Sequence, residues 1–216
     1  MKKCFLVITA VMTLMLSSCL VSLQQLATYK NIITNDKITG LWLQPGKQLA
    51  VQRLANSKYK NLFAEARKSK TPFSVVDSIF ATKIYIISSF ESGIDYTWIA
   101  SLVKAGNNTF LSLKPDAPLQ NGGDVSPQSS LQGYSFAKLE WQNDNALKIK
   151  FIDGEFVKDI VLSGKAKIKH EYDPLFGTFI ITASAEDLMQ FLGKYGDDER
   201  LFKNGNTINL IRKSNS

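Results

Sequence analysis

Leu147, Ile149 and Phe151 alternate with Lys148 and Lys150. Successive side chains of a β-strand point to opposite faces, so this run needs a sheet with one dry face and one wet face. It is the clearest period of two in the chain, and other segments repeat it. Tyr96, Trp98, Ala100 and Leu102 share one face of a run rich in aromatic and β-branched residues; Ile208 and Leu210 share one face of another. Gly40 to Leu43 reads as a first strand, Pro45-Gly46 as a turn, and Leu49, Val51 and Arg53 as one face of the returning strand. Ile84 to Phe90 and Tyr134 to Trp141 are further strands, and Gly106-Asn107-Asn108 turns Tyr96–Val103 into Phe110–Leu113 as a hairpin. Ile168–Tyr172 and Thr178–Thr182 form another pair around the Asp173-Pro174 bend, and Asn204-Gly205 leads into a closing strand, Thr207 to Arg212.

The period changes twice in the second half. Asp153 is placed to cap a short helix through Phe156, Val157, Ile160 and Val161, ended by Gly164. Ser184 and Asp187 have the spacing of a capping box for a helix over Ala185 to Tyr195. There Leu188, Phe191, Leu192 and Tyr195 form a stripe at three- and four-residue steps, and Gly196 closes the end. Tyr59 to Arg67 fits strand and helix equally, and the polar run from Pro115 to Gln132 reads as a long disordered loop. The expected fold class is therefore α+β, mainly antiparallel β: a curled or partly closed sheet with one or two short helices in the C-terminal half.

The first nineteen residues do not belong to that fold. Lys2-Lys3 precede an apolar run from Phe5 to Leu16, and Leu16-Ser17-Ser18-Cys19 closes it with small residues before a cysteine. The apolar run is shorter than the ~20 residues needed to span a bilayer, and charge, grease and small residues in that order make a secretory signal. Leu16-Ser17-Ser18-Cys19 resembles the bacterial lipobox. The resemblance implies cleavage between Ser18 and Cys19 and acyl chains on the Cys19 sulfur, with each buried methylene adding about 0.8 kcal/mol to the hold on the membrane. Membrane lipid through Cys19 is then the expected partner, in a bacterial cell envelope; Leu20, where an aspartate would retain the chain at the inner membrane, points to the outer one. The domains expected are a signal peptide at 1–18, a lipidated cysteine and tether at 19–37, and one β-rich globular domain at 38–216. The leucines of the tether, Leu20, Leu23 and Leu26, suggest that part of it packs. Without residues 1–18 the chain keeps 198 residues, enough for a substantial core, and a net charge of +5. Cys4 leaves with the signal, so the mature domain has no cysteine for a disulfide or a thiolate metal site. Lys148, Lys150, Lys165, Lys167 and Lys169 stand singly between other residues instead of clustering, which argues against nucleic acid as a partner.

Three tracts, Phe110–Pro115, Leu147–Ile160 and Ile181–Phe202, resemble a group of bacterial lipoproteins with no assigned activity, so the likeness carries over no site residue. Gly40-Leu41-Trp42 resembles the Gly-x-Trp of lipocalins, small β-barrels that carry apolar ligands. That likeness implies that Arg212 stacks on the Trp42 indole; Asp95-Tyr96 resembles part of a second lipocalin motif but lies too early in the chain. On the plain reading, Gly40 eases a strand entry, Trp42 is core and Arg212 is surface. The helices of the second half exceed what a simple barrel needs.

Catalytic groups are sparse. His170 is the single histidine, and in His170-Glu171-Tyr172-Asp173 strand alternation sets His170 and Tyr172 on one face and Glu171 and Asp173 on the other. One histidine and no free cysteine argue against a metal site, and no glycine-rich phosphate loop follows a strand. The carboxylate pairs Asp153/Glu155, Glu186/Asp187 and Asp197/Asp198 each have a capping or solvated-face explanation. No catalytic, cofactor or metal site is expected. The expected function is a membrane-anchored, non-enzymatic binding or structural module of the envelope, with a protein or glycan there as a further partner. The alternatives are a lipocalin-like carrier of a small apolar ligand and a carboxylate-based hydrolase of an envelope polymer.

Overall fold

The computed structural model of the chain describes residues 20–56, 82–91, 94–116 and 133–213. The expected signal segment 1–18, Cys19, Tyr59–Arg67 and residues 117–132 of the expected Pro115–Gln132 loop lie outside the described residues; Pro115 itself ends a strand. A short β1 (Ile32–Ile33) precedes seven strands in an up-and-down meander: β2 (Gly40–Gln44), β3 (Lys47–Arg53), β4 (Tyr85–Glu91), β5 (Ile94–Ala105), β6 (Asn108–Pro115), β7 (Ser135–Asn143) and β8 (Ala146–Phe151). Helix α1 (Gly154–Leu162), the hairpin β9 (His170–Asp173) and β10 (Thr178–Ile181), and helix α2 (Ala185–Tyr195) intervene before β11 (Thr207–Arg212). β11 pairs with β8 on one side and β2 on the other, and β5 pairs with β6, so the sheet closes completely on itself. The result is an eight-stranded antiparallel barrel made of β2 to β8 and β11, consistent with a lipocalin-like fold. Closure removes the free edges that a curled sheet would leave unpaired.

The period-two patterns become the inside of this barrel. Trp42, Val51, Tyr85, Ala100, Leu102, Leu111, Ala137, Leu147 and Leu210 form one buried cluster, each an alternate residue of its strand, with Trp98 and Ile208 packed against it. Lys148 and Lys150, the wet positions of β8, stand between the inward Leu147, Ile149 and Phe151.

A second core lies outside the barrel wall. Phe110, Phe136, Val103 and Ala105 face outward from β5, β6 and β7 and meet Val157 and Val161 of α1 and Leu188, Phe191 and Leu192 of α2. The helices beyond a simple barrel's need thus cover an apolar patch of its outer surface. Their ends follow local chemistry. The Asp153 carboxylate accepts from the amides of Glu155 and Phe156 at the start of α1, and Ser184 Oγ accepts from the Asp187 amide at the start of α2. Lys138, buried on the outer wall, donates to the Gly196 carbonyl at 3.0 Å, setting a cation at the negative end of α2. Leu20, Leu26, Ala27 and Ile32 are buried in this outer core. β1 extends the wall beyond the end of β4 by pairing Ile32 and Ile33 with Val103 and Leu102 of β5.

Candidate functional site

The two ends of the barrel differ. One is plugged by a 3₁₀ turn, Asp36–Ile38, that precedes β2, and four inward-facing residues hold it. Trp42 Nε1 donates to the Ile38 carbonyl at 2.8 Å. The Tyr85 hydroxyl accepts from the Asn35 amide at 2.8 Å and donates back to the Asn35 carbonyl at 3.2 Å. Burial raises the Tyr85 hydroxyl above the ordinary tyrosine pKa, so it stays a neutral donor there. Arg53 donates from Nε and Nη2 to the Asp36 carboxylate and lies over the Tyr85 ring, 4.7 Å from its centroid.

Arg212 is the fourth. It donates to the carbonyls of Thr39 and Lys37 and stacks on Trp42 with its guanidinium 4.3 Å from the ring centroid. The plain reading of Arg212 as a surface residue therefore fails, and the contact implied by the lipocalin likeness is present. Gly40 has a reason of its own: its φ is +125°, and a Cβ there would lie 2.9 Å from Arg212 Nη1. The glycine makes room for the arginine.

Among the described residues the opposite end is open. Beneath it lies a cavity of about 260 Å³ walled by Leu49, Ile87, Trp98, Leu111, Leu113, Pro115, Ser135, Ile149, Phe151 and Ile208. These residues come from β3, β4, β5, β6, β7, β8 and β11, so nearly the whole wall contributes to one apolar chamber. Above it is a mouth of about 480 Å³ that shares Leu49, Trp98 and Ile208 and adds Gln44, Lys47, Ser89, Asn206 and Thr207. An apolar chamber beneath a ring of polar groups is the usual build of a small-molecule site. None of these described residues is a carboxylate or a histidine, so they can hold an apolar body and orient a polar end but supply no acid–base pair themselves.

A larger hollow, about 810 Å³, lies elsewhere: an open groove between α2 and the segment from Val161 to His170. It is lined by Lys165, Lys167, Lys169 and Lys194, and its wide opening makes it a surface feature rather than a chamber.

The residues weighed for chemistry do not converge. His170 Nδ1 lies 2.9 Å from the Ile168 carbonyl and its ring 5.2 Å from that of Phe179, so it is held by its own hairpin. Asp153 is buried and caps α1, Glu155 pairs with Lys158, Asp187 bonds Ser184 Oγ, Asp197 accepts from Asn108, and Asp198 pairs with Arg200. Arg200 holds the Asp198 carboxyl below the usual range, which is the mark of a local ion pair. Among the described residues no group of three or more histidine, cysteine or acidic side chains is set to hold a metal ion. No helix among them is long and apolar enough to cross a membrane.

The pattern of the sequence marked Leu49, Trp98, Ile149 and Ile208 as dry-face residues but assigned none of them to a site. Their alternation is the same whether a barrel is filled or hollow. Comparison with family models, with curated proteins and with solved structures finds no match to this chain.

Proposed function

We propose that this protein is a lipocalin-like carrier that binds a small apolar ligand inside its barrel. The observation that carries this reading is the asymmetry of the two ends among the described residues: four side chains plug one, and the other opens through a polar mouth into an apolar chamber. A barrel built only as a structural body gains nothing from an unfilled interior, since interiors close-pack and each unfilled space forfeits contacts. At about 260 Å³ the chamber falls just below the range for small-ligand pockets, about 300–1,000 Å³, so the ligand is small or leaves a polar end in the mouth.

The lipobox likeness at Leu16–Cys19 supports the further reading that acyl chains on Cys19 hold the carrier to the bacterial envelope, at the outer membrane. Mass spectrometry of the mature amino terminus tests it, with an unacylated Cys19 as the result against it. The carrier reading is tested by titrating the purified protein with an apolar fluorescent probe such as N-phenyl-1-naphthylamine. Saturable binding of one equivalent is expected, accompanied by energy transfer from Trp98. The absence of saturable binding, or binding unchanged when Leu113→Trp or Ser135→Phe fills the chamber, overturns it.

A further inference from the structure

We infer that this protein pairs with a second copy of itself through the free edge of β9, joining the two β9–β10 hairpins into one continuous antiparallel sheet. The Thr182 amide donates to the Lys169 carbonyl, so Lys169, Glu171 and Asp173 turn their backbone groups toward β10, and His170 and Tyr172 turn theirs outward. The far side of β10 is already taken, by the Val21 carbonyl and the Leu23 amide at Ile181. The outward amides of His170 and Tyr172 find no partner among the described residues. A row of unpaired amides and carbonyls is a template for another strand.

Charge chooses the partner and the register. Lys167, Lys169, Glu171 and Asp173 are alternate residues and share one exposed face, while Ile168, Phe179 and Ile181 pack inward. The face therefore reads basic, then acidic, with His170 between the two halves. Lay the strand antiparallel to its copy with His170 opposite the partner's His170. Lys169 then stands opposite the partner's Glu171 and Lys167 opposite the partner's Asp173. These are the non-hydrogen-bonded positions, where facing side chains come closest. The neighbouring registers that the outward amides allow set Lys169 on the partner's Lys169, or Glu171 on the partner's Glu171, and like charges directly opposite destabilise. Lys167, Lys169 and Glu171 enter none of the ion pairs among the described residues, and Asp173 uses one oxygen, Oδ1, for the amides of Leu175 and Phe176. An edge guarded by charge of a single sign repels its copy; this one attracts it.

The same register ends the pairing on both sides and gives the hairpin tip a seat. Tyr172 comes opposite the partner's Ile168, whose carbonyl lies 2.9 Å from Nδ1 of its own His170 and keeps a second lone pair. One step further, Pro174 has no amide to give, and the Ala166 amide is already bonded to the Ile160 carbonyl. Beyond that point Leu175 and Phe176, 82% and 78% exposed, arrive opposite the partner's Lys165 and Gly164. There they meet the groove whose apolar lining is Val161, Ala166, Phe191 and Tyr195. An apolar tip and an open groove on one molecule, exchanged about a two-fold axis, are the self-complementary patches of an isologous dimer. The strand edge alone falls short of the roughly 800 Å² per partner that stable interfaces bury, so the seated tips are part of the interface and the dimer is a reversible one. The pairing requires neither a filled chamber nor a lipid on Cys19.

The test uses the full-length chain, its association followed by sedimentation velocity over a series of concentrations. A reversible monomer–dimer equilibrium is expected. Lys169→Glu sets acids face to face and Glu171→Lys sets lysines face to face, and each is expected to raise the dimer dissociation constant about tenfold or more. The double variant restores opposite charges and is expected to return to within about twofold of the native value. Tyr172→Pro removes an amide that β10 does not use and is expected to abolish the dimer while the hairpin persists. Far-UV circular dichroism reports that each variant is folded. In hydrogen exchange the native amides of His170 and Tyr172 should slow as concentration rises, while that of Glu171, turned toward β10, stays slow throughout. A chain monomeric at every concentration overturns the inference. So does a dimer indifferent to the single reversals, a folded double variant that stays monomeric, or edge amides that exchange at one rate in monomer and dimer.

Discussion

Arg212 and Trp42 face each other across the β11–β2 seam, paired in register, with the guanidinium 4.3 Å from the centroid of the indole. That seam rests on two residue pairs, Ile211 with Leu43 and Arg212 with Trp42, whereas β5 and β6 share eight. The stacking, and the two carbonyls that Arg212 holds on the plug, therefore reinforce the weakest joint of the barrel.

Replacing Arg212 tests that reinforcement. Arg212→Ala removes a cation–π contact and two charge-assisted hydrogen bonds and is expected to cost about 2–4 kcal/mol in urea unfolding. Arg212→Lys keeps the charge over the ring but has no planar fork to span two carbonyls, and should recover about half of that loss. Gly40→Ala in the native background forces a Cβ against Arg212 and should cost about 1–3 kcal/mol. In the Arg212→Ala background only the backbone strain at φ +125° remains, so the two substitutions should be non-additive. Additive losses would separate the glycine from the arginine.

Filling the chamber should stabilise the fold or leave it unchanged while removing ligand binding. Leu113 and Ser135 both line the cavity, from neighbouring strands paired Leu113 to Ser135. Leu113→Trp and Ser135→Phe extend apolar surface into unoccupied space, where a well-fitted side chain gains contacts and an ill-fitted one costs about 1–3 kcal/mol. Probe affinity is expected to fall at least about tenfold in either variant while the urea midpoint moves little. A probe that binds both as it binds the native chain is bound elsewhere.

What could be read from the sequence follows the range of the physics. The cap residues Asp153 and Ser184 act on amides two or three residues away, so both helices were legible to within a residue or two of their ends. The dry faces of Trp98–Leu102, Leu147–Phe151 and Ile208–Leu210 were legible because alternation is local. Closure was not, since it depends on Trp42 meeting Arg212, residues at opposite ends of the chain, and no local pattern states which edges find each other. The chamber was less legible still. Whether Leu49, Leu113, Ile149 and Ile208 meet in the middle or stop short depends on barrel radius and side-chain volume together. The lipocalin likeness, three letters and a distant arginine, was the one signal that reached across that distance.

Asp153 joins the barrel to its outer layer. One carboxylate oxygen accepts from the amides of Glu155 and Phe156, and the other from the amide of Asn204 just before β11. The residue is 1% exposed, so no water replaces a lost acceptor. Asp153→Ala should cost about 2–4 kcal/mol, above an ordinary surface cap, because three amides lose their partner in a buried place. Asp153→Asn keeps an acceptor for the helix but turns an NH₂ toward the Asn204 amide, and should fall in between. Hydrogen exchange is the discriminating measurement: Asp153→Asn should speed exchange at Asn204 while leaving Glu155 and Phe156 protected.

The pH dependence of stability should follow Lys150. Its ammonium on the outer wall of β8 bonds Glu199 at 2.9 Å and approaches Glu140 at 3.2 Å, tying the 3₁₀ turn Glu199–Phe202 to the barrel. Burial alone would lower the lysine pKa, but the hydrogen bonds with Glu199 and Glu140 outweigh it and raise the value above the ordinary lysine range. The same bond holds the Glu199 carboxyl below its ordinary value. A lysine raised in the folded state contributes stability that is whole below its unfolded pKa, about 10.4, and is lost as pH climbs through the folded value. A glutamate lowered in the folded state contributes above its unfolded pKa, about 4.3, and loses that contribution as pH falls through the folded value. Solvent reaches Glu199, whose side chain is 69% exposed, so the acidic limb should be shallow and flatten in high salt. Lys150→Met should therefore reduce the urea midpoint at pH 7 and remove the difference between pH 7 and pH 3 that this pair contributes. Glu199→Gln should flatten the acidic limb and leave most of the alkaline one, since Glu140 still faces the ammonium. An acidic limb unchanged in both variants would assign it to other carboxylates.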